Sequence, residues 1–345
     1  MSMVSGVVGG VDTHADVHVA AALDMNGGLL GIESFPADGA GYRRLGQWLS
    51  SFGRVVKVGI EGTGSYGVGL ARHLHGEGIM VVEVDRPNRQ RRRRFGKSDP
   101  VDAEAAARAA LSGSAKTTPK RRDGAVEQIR VLLVARRSAR TQRTATLNQL
   151  RHIVLTAPDE IRVRFKDRPK TALVSEAAAM RPRKGNDPVA YTTYVVIRGL
   201  ARRIRDFDDE IAGIDHTLGD LIARTAPSLL DCYGVGVDTA GTLLVAAGDN
   251  ADRLTSERSW AHLCGVSPVP AGSGKTSGRV RLNRGGNRQA NAALHRIVLV
   301  RMSSDAQTRS YVRRRSAEGL SKREIMRCLK RYVARQTFKH LPRAV

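Results

Sequence analysis

The order of its short apolar segments is the feature that most constrains what this chain can fold into. Short apolar segments predict strands over 4–11, 17–23, 54–60 and 79–84, and the residues after the Asn26-Gly27-Gly28 turn predict another over 29–35. Helical periodicity predicts helices over 40–51, 66–76, 86–95 and 99–112. With the two consecutive helices after the last strand counted as one, the resulting order is β-β-β-α-β-α-β-α, which predicts a mixed sheet flanked by helices.

The remainder of the chain is predicted to be mainly helical. Residues 114–124 are polar and contain Pro and Gly, so we interpret them as a linker. Apolar residues recur at helical spacing over 125–156 and over about 191–224, and four prolines break the connection between them. The pattern predicts either a helical hairpin or coiled coil, or two helices of an ordinary bundle, which spacing alone does not distinguish.

Composition changes divide the chain into three predicted domains. After residue 225 come glycine-rich turns around short helices, then basic helices predicted over 288–302 and 321–339. The predicted domains are 1–124, an α/β catalytic domain; 125–225, a helical or coiled-coil segment; and 226–345, a mainly helical C-terminal domain.

The net charge narrows the class of partner. The chain has 57 Lys and Arg against 33 Asp and Glu, a formal net charge of +24. Such a surplus favours a nucleic acid, because each contact with a phosphate releases counterions. Aromatic residues make up only 4% of the chain, so base stacking is not expected to be the main mode of binding. The predicted phosphate contacts are Arg86, Arg89, Arg91, Arg92, Arg93, Arg94, Lys97, Lys275, Arg279, Arg281, Arg284 and Arg288.

Targeting and redox signals are weak. The three cysteines form no CxxC pair, so neither a zinc site nor a disulfide framework is predicted. The N-terminus has no charged region leading into an apolar one, and no apolar run reaches the ~18 residues of a membrane span. We therefore expect a cytoplasmic protein with no membrane partner.

Four acids occupy positions typical of a metal site. Asp12 ends the first predicted strand, and Glu61 ends the fourth. Asp99 and Asp102 lie three residues apart on one face at the start of a helix, where Pro100 suits the first helical position and makes Asp99 the predicted N-cap. Carboxylates from three segments suit two Mg²⁺ ions, or Mn²⁺, in phosphoryl transfer. Taken singly, Asp99 is adequately explained as a cap, Asp102 as a first-turn acid and Asp12 as a turn residue, so the prediction rests on the combination of acids in a basic protein.

Two glycine motifs mimic nucleotide-binding loops. Gly62-x-Gly64-x-x-Gly67, with Glu83 downstream, approaches a dinucleotide fingerprint, but it follows a hairpin meander and leaves the charge unexplained. We interpret it as the turn that presents Glu61. A GSGKT run at 272–276 lacks the first glycine of a P-loop, so ATP binding is not predicted.

The acids lie within motifs that resemble a known family. The runs GVDTHADVHVAAALD, IEGTGSYG and DRPNRQRRRRFGKSDPVDAEAAARAA resemble the RuvC-like domain of DEDD transposases of the insertion-sequence "one-ten" family, relatives of the Piv DNA invertases. The resemblance implies an RNase H-like fold with Asp12, Glu61, Asp99 and Asp102 as metal ligands. It also implies DNA as substrate, a structured guide RNA, and a homo-oligomer, a dimer or tetramer.

A second group of motifs resembles the other domain of the same family. GVGVDTA at 234–240, LCGVSP at 263–268, Ser273-Gly274 and NRGGNR at 283–288 follow in the family's order. The resemblance implies that the serine before glycine is a nucleophile that attaches covalently to DNA. We assign it to Ser273, although Ser277-Gly278 repeats the dipeptide. From the residues alone, a loop that only touches phosphate is the simpler interpretation.

Three functions follow from these features. The first is a transposase or recombinase that cleaves and exchanges DNA strands with metal and a serine nucleophile. The second is a RuvC-type junction nuclease or Piv-like invertase, in which the carboxylates cut DNA with water. The third is a nucleic-acid-binding protein without catalytic activity.

Overall fold

The structure is a computed structural model that describes residues 6–84, 98–185, 187–250, 253–274 and 280–342. Its N-terminal part forms a five-stranded mixed sheet of β1 (Gly6–Thr13), β2 (Val17–Asp24), β3 (Leu29–Pro36), β4 (Arg54–Glu61) and β5 (Val81–Val84). The strand order is β3-β2-β1-β4-β5; β1, β2 and β3 are antiparallel, and β4 and β5 run parallel to β1. The predicted mixed sheet is confirmed, and its order is the RNase H-like one.

Helices cover both faces of this sheet. On one face, α1 (Gly39–Ser51) and α2 (Val68–Gly76) bury leucines such as Leu49 and Leu70 against the strands. On the other face lies α3 (Asp99–Leu111), whose alanines pack beside Val8 and Ala21. The helix predicted over 86–95 lies outside the described residues.

Two glycines set how closely α3 approaches the sheet. Gly10 on β1 and Gly59 on β4 are partners in the parallel register. A Cβ on Gly10 would lie 2.0 Å from the backbone N of Ala107, and one on Gly59 would lie 2.6 Å from the backbone O of Ala106. Non-bonded atoms do not approach so closely, so the helix backbone can rest on the strands only because both side chains are absent.

The segment 114–124 is irregular, as expected of a linker, but specific hydrogen bonds hold it. The backbone N–H of Glu83 donates to the carbonyl of Thr117 at 2.7 Å, which adds an antiparallel bridge at the β5 edge. The side-chain amide of Asn250 donates to the carbonyl of Pro119 at 3.0 Å. The segment is therefore packed within the N-terminal unit and is not a free tether.

Lys120 in this segment gives the fold a pH dependence. Burial lowers its pKa to about 8, and the charges of Arg253 and Arg122 act in the same direction. The folded chain therefore binds fewer protons than the unfolded chain between pH 8 and the ordinary lysine value of 10.5, so stability rises with pH across that window. We expect Lys120→Met to raise the free energy of unfolding by up to about 3 kcal/mol at pH 7.

Denaturant unfolding at pH 7 and pH 10 checks this expectation. The gain of Lys120→Met over the wild type should shrink at pH 10, where the wild-type folded chain has already lost the proton. Lys116→Met, which changes an exposed lysine of the same segment, serves as the control and should alter stability little at either pH. A gain of equal size at both pH values would contradict the assignment.

Two long helices, α4 (Ala125–Thr156) and α7 (Pro188–Thr225), pair through charged side chains. The Nη2 of Arg136 lies 3.0 Å from Oδ2 of Asp215, and the Nη2 of Arg143 lies 3.0 Å from Oδ2 of Asp208. The numbers rise along one helix as they fall along the other, so the helices are antiparallel. Both sequence alternatives, the helical hairpin or coiled coil and the two helices of an ordinary bundle, contain such an antiparallel pair.

The proline-rich connection between these helices contains two helices that the sequence did not predict. They are α5 (Asp159–Phe165) and α6 (Lys170–Ala179), and each begins directly after a proline, Pro158 or Pro169. Their apolar residues, including Phe165, share a core with Leu150 of α4 and Ile197 of α7. Proline has no backbone N–H, and none is needed at the start of a helix. Pro158 and Pro169 therefore precede new helices in a segment where we expected only breaks.

The C-terminal part is mainly helical, as predicted. Its elements are α8 (Pro227–Leu230), α9 (Val237–Ala247), α10 (Glu257–Leu263), β6 (Pro268–Pro270), β7 (Val280–Leu282), α11 (Arg288–Ser304), α12 (Ala306–Ala317) and α13 (Lys322–Lys339). β6 and β7 form an antiparallel hairpin, and Ser273 lies in its connection.

The chain divides into two compact units. One comprises Met1–Glu127, Ala247–His262 and Pro342–Val345; the other comprises Gln128–Ala246 and Leu263–Leu341. The functional division into three domains at 124 and 225 stays a prediction. In the described parts of the chain, no helix combines the length and the apolar character needed to cross a membrane.

Candidate active site

Asp12, His14 and Asp99 meet at one edge of the sheet. Asp12 is the second-last residue of β1, and His14 follows the strand directly. The Nε2 of His14 lies 3.1 Å from Oδ2 of Asp12 and 3.4 Å from Oδ1 of Asp99. One ligand atom from each of the three residues lies within 4.8 Å of the other two. The structure thus brings together two of the four predicted acids, with an imidazole between them.

The first turn of α3 supplies two acids, although not with the predicted capping. Ser98 is the N-cap, with extended backbone, and Asp99 is the first helical residue, so the prediction of Asp99 as N-cap is wrong. Pro100 then lies second in the helix, where its missing N–H is equally harmless. Asp102 points inward and is only 2% exposed. Ala103 packs beside Val19, the partner of Asp12 on β2, which places this turn at the end of β1 that carries the cluster.

Glu61 lies at the corresponding position of the neighbouring strand. Ile60 pairs with Val11 in the parallel register, so Glu61 and Asp12 follow on the same face. Gly62 adopts a φ of +72°, and the hydroxyl of Thr13 donates to the carbonyl of Glu61 at 2.8 Å. The glycine turn therefore positions Glu61, as we interpreted it. Glu61 and Asp102 add no ligand atom to the 4.8 Å cluster of the described residues.

The Glu83 that made this turn resemble a dinucleotide motif has a different partner. The hydroxyl of Thr63, within the turn, donates to its carboxylate at 2.7 Å. Glu83 also lies near the positive charges of Lys120 and Arg253. These contacts give Glu83 a structural role in the packing of the turn.

The carboxylates at the sheet edge repel one another. Burial raises the pKa of Asp12 above its ordinary value; the charge and hydrogen bond of His14 lower it, and the negative charges of Asp102 and Asp99 raise it. A divalent cation would relieve this repulsion. Carboxylate oxygens suit Mg²⁺ and Mn²⁺, and the imidazole of His14 adds a nitrogen donor to the all-oxygen set predicted from the sequence. The residues therefore fit a divalent cation.

In the second unit, two motifs that are separate in sequence come together. The side-chain amide of Asn291 donates to the carbonyls of Cys264 and Gly265 at 2.9 and 3.2 Å. A Cβ on Gly286 would lie 2.3 Å from the backbone N of Gly265, so the LCGVSP and NRGGNR segments touch through their backbones. This contact anchors the base of the β6–β7 hairpin, and Ser273 is exposed in its connection.

Two family models match the chain, in the same order as these two groups of motifs. A DEDD transposase model of the IS110 type, described as a transposase, matches residues 9–157. A model described as the transposase IS116/IS110/IS902 family matches residues 226–313. Together the matches span more than half of the chain. This chain belongs to the IS110 family of DEDD transposases.

Two curated relatives are insertion-element proteins. The insertion element IS900 uncharacterized 42 kDa protein of Mycobacterium paratuberculosis is 29% identical over 126 residues, which are 36% of this chain and 32% of that protein. The insertion element IS110 uncharacterized 43.6 kDa protein of Streptomyces coelicolor is 31% identical over 137 residues, or 38% and 33%. In these matches the chain spans about a third of the length of each relative.

The basic residues predicted for this IS110-family chain divide into two groups. Arg281, Arg284 and Arg288 are exposed in the second unit. The others lie outside the described residues, as does the alternative nucleophile Ser277; they are Arg86, Arg89, Arg91, Arg92, Arg93, Arg94, Lys97, Lys275 and Arg279.

His14 is the site residue that the sequence reasoning missed. It lies two residues after Asp12, and residues two apart on an extended strand share a face, so the Asp-Thr-His spacing was the available signal. We attended only to carboxylates, because hard cations prefer oxygen.

Proposed function

We propose that the chain is a transposase that cleaves DNA and transfers strands with a divalent cation, Mg²⁺ or Mn²⁺. The observation that carries this proposal is the cluster of Asp12, His14 and Asp99 at the sheet edge, beside buried Asp102 and the end of the Glu61 strand. Membership of the IS110 family supports it, since both family models are transposase models. The cation would supply charge stabilisation to the phosphoryl-transfer transition state.

In this proposal, Asp12, His14 and Asp99 would hold the cation, with Glu61 and Asp102 as further carboxylates at the same edge of the sheet. Substrate DNA is bound through phosphates, to which exposed Arg281, Arg284 and Arg288 contribute positive charge. A structured guide RNA and a homo-oligomer are parts of the same proposal that rest on the resemblance of the motifs. The net charge of +24 supports a nucleic-acid partner of either kind.

Ser273 is the proposed nucleophile. Its Oγ–H gives up a proton to water, an Oγ–P bond forms at the scissile phosphate, and the P–O bond to one deoxyribose breaks. The leaving sugar oxygen takes up a proton. Attack on the phosphoserine by another sugar hydroxyl reverses these changes and joins a new strand. The exposure of Ser273 in the hairpin connection supports this role, because a nucleophile that attacks DNA must lie at the protein surface.

An adduct that survives denaturation tests the covalent step. Wild-type protein, incubated with element-end DNA, co-purified RNA and Mg²⁺, is expected to form a protein–DNA adduct that remains in SDS. Ser273→Ala should lower its yield at least about a hundredfold, because no other group replaces an absent nucleophile. Ser277→Ala is the matched control and should leave the adduct in place.

Two results would decide otherwise. An adduct that persists in Ser273→Ala but is lost in Ser277→Ala would move the nucleophile to Ser277. Cleavage without an adduct in the wild type would favour the junction nuclease, in which the carboxylates cut DNA with water.

A further inference from the structure

A strongly basic pocket of about 440 Å³ lies between the β6–β7 hairpin and α13. Its cations come from both elements: Arg281 from β7, and Arg327, Lys330, Arg331 and Arg335 from α13. None of the described residues that line it is acidic. Cations that converge on a concave surface attract a polyanion, and the counterions that it releases favour binding.

Part of this pocket is rigidly built. The Nζ of Lys330 donates to Oδ1 of Asn291 at 2.9 Å, and Asn291 in turn donates to the carbonyls of Cys264 and Gly265. Lys330 of α13 is thereby linked through Asn291 to the backbone segment that leads into β6. The two strands that flank Ser273 in sequence also supply lining residues, Pro268 and Val280.

An exposed aromatic ring lies among these cations. Tyr332 lines the pocket and is 52% exposed. Tyr311 contacts it edge-on, with ring centroids 5.8 Å apart and an interplanar angle of 83°. The orientation of Tyr332 is therefore set by a neighbour, while half of its surface stays accessible. A ring fixed in this way offers a stacking surface for a nucleobase.

We propose that this pocket binds one nucleotide of a single-stranded DNA segment, with the base stacked on Tyr332 and its phosphates held by Arg281 and Arg327. The preference for DNA rests on the proposed function, since the same hairpin carries Ser273. Single-stranded DNA explains both features of the pocket: duplex DNA would engage the cations but would leave no base available for the ring. The pocket would thus hold the strand against the hairpin whose connection carries Ser273.

Fluorescence anisotropy with a labelled oligothymidylate, in EDTA, tests the stacking. Tyr332→Ala is expected to weaken binding about tenfold, and Tyr332→Phe, which keeps the ring, to stay within about twofold of the wild type. Tyr233→Ala is the matched control, because Tyr233 is equally exposed, at 51%, and is not among the residues that line the pocket. Binding of a blunt duplex should change less than about twofold in all three variants.

Three results would overturn the proposal. They are a loss in Tyr332→Phe equal to that in Tyr332→Ala, a loss for duplex equal to that for single strand, and tighter binding of oligouridylate RNA than of oligothymidylate. The last result would assign the pocket to RNA.

A second variant and a chemical readout cover the case in which Tyr332→Ala folds poorly. Arg281 is exposed on its strand, and Arg281→Gln should lower the slope of log affinity against log salt by about 0.7, the value for one phosphate of a single strand. Cys328 also lines the pocket, whereas Cys232 and Cys264 are buried, so bound oligothymidylate should slow alkylation of Cys328 in the wild type. An unchanged slope together with an unchanged alkylation rate would contradict the proposal.

These measurements separate the pocket from the proposed function. Binding in EDTA needs neither cation nor cleavage, so a protein that passes the Tyr332 tests but forms no adduct retains the pocket and loses the transposase proposal. Conversely, if the wild type forms the adduct while Tyr332→Ala binds oligothymidylate as tightly as the wild type does, the transposase proposal stands and the pocket proposal fails.

Discussion

Asp12→Asn is expected to lower metal-dependent DNA cleavage by about a thousandfold or more. Asparagine keeps the size of the side chain but removes the charge that binds the cation, and a catalytic metal contributes several kcal/mol to a phosphoryl-transfer transition state. In EDTA, the same variant should unfold at no lower temperature than the wild type. Asp12 is buried beside the negative charges of Asp99 and Asp102, so removing its charge removes a repulsion. Single-turnover cleavage of element-end DNA and a thermal melt measure the two effects.

Asp16→Asn provides the matched control for this prediction. Asp16 lies in the turn just after β1, is exposed, and is outside the cluster, so the variant makes the same chemical change four residues away. It should cleave at the wild-type rate. Equal losses in both variants, or full activity in Asp12→Asn, would show that the carboxylate cluster is not the catalytic centre.

Gly10→Ala is expected to destabilise the N-terminal unit by about 1–3 kcal/mol or more and to remove cleavage with it. The added Cβ would lie 2.0 Å from the backbone N of Ala107, so α3 must move away from the sheet. Since Asp99 and Asp102 are carried by α3, that movement separates them from Asp12. Chemical denaturation measures the stability, and titration with Mn²⁺ measures the effect on the site.

A glycine with open space around it is the control for this substitution. A Cβ on Gly76, at the end of α2 in the same unit, would meet nothing within 4 Å. Gly76→Ala should therefore leave stability unchanged or slightly raised, because alanine loses less backbone entropy on folding. Wild-type stability and Mn²⁺ affinity in Gly10→Ala would contradict the close packing of α3 on β1.

Regular patterns made much of the fold predictable. Strands β1 to β5 follow from short apolar segments, and helices α4 and α7 follow from apolar residues spaced by threes and fours. Asp12 and Glu61 were predicted as site residues because each lies at or next to the end of a strand, and the two strands are neighbours in the sheet. These features were predictable because a local sequence pattern marks them directly: apolar spacing marks a buried face, and the end of an apolar segment marks the end of a strand.

Other features depend on contacts between distant residues and could not be predicted in that way. Gly10 and Gly59 look like ordinary strand residues, and their role is visible only once α3 lies against them. His14 belongs to the site because α3 brings Asp99 to within 3.4 Å of it.

Two predictions based on proline were wrong, because proline is compatible with more than one position at or near the start of a helix. Pro100 is tolerated at either the first or the second position of a helix, and its actual place moved the N-cap to Ser98. Pro158 and Pro169 break a helical pattern when read alone, yet they begin α5 and α6, which the shared core stabilises.

Binding of Mn²⁺, followed by electron paramagnetic resonance, tests most directly whether β1 and α3 jointly hold a divalent cation. The wild type and Asp16→Asn are expected to bind Mn²⁺ alike, whereas Asp12→Asn and Asp99→Asn should each bind at least about tenfold more weakly, because each removes one carboxylate of the cluster. Binding of Mn²⁺ to Asp12→Asn and Asp99→Asn with wild-type affinity would contradict the assignment of the cation to this edge of the sheet.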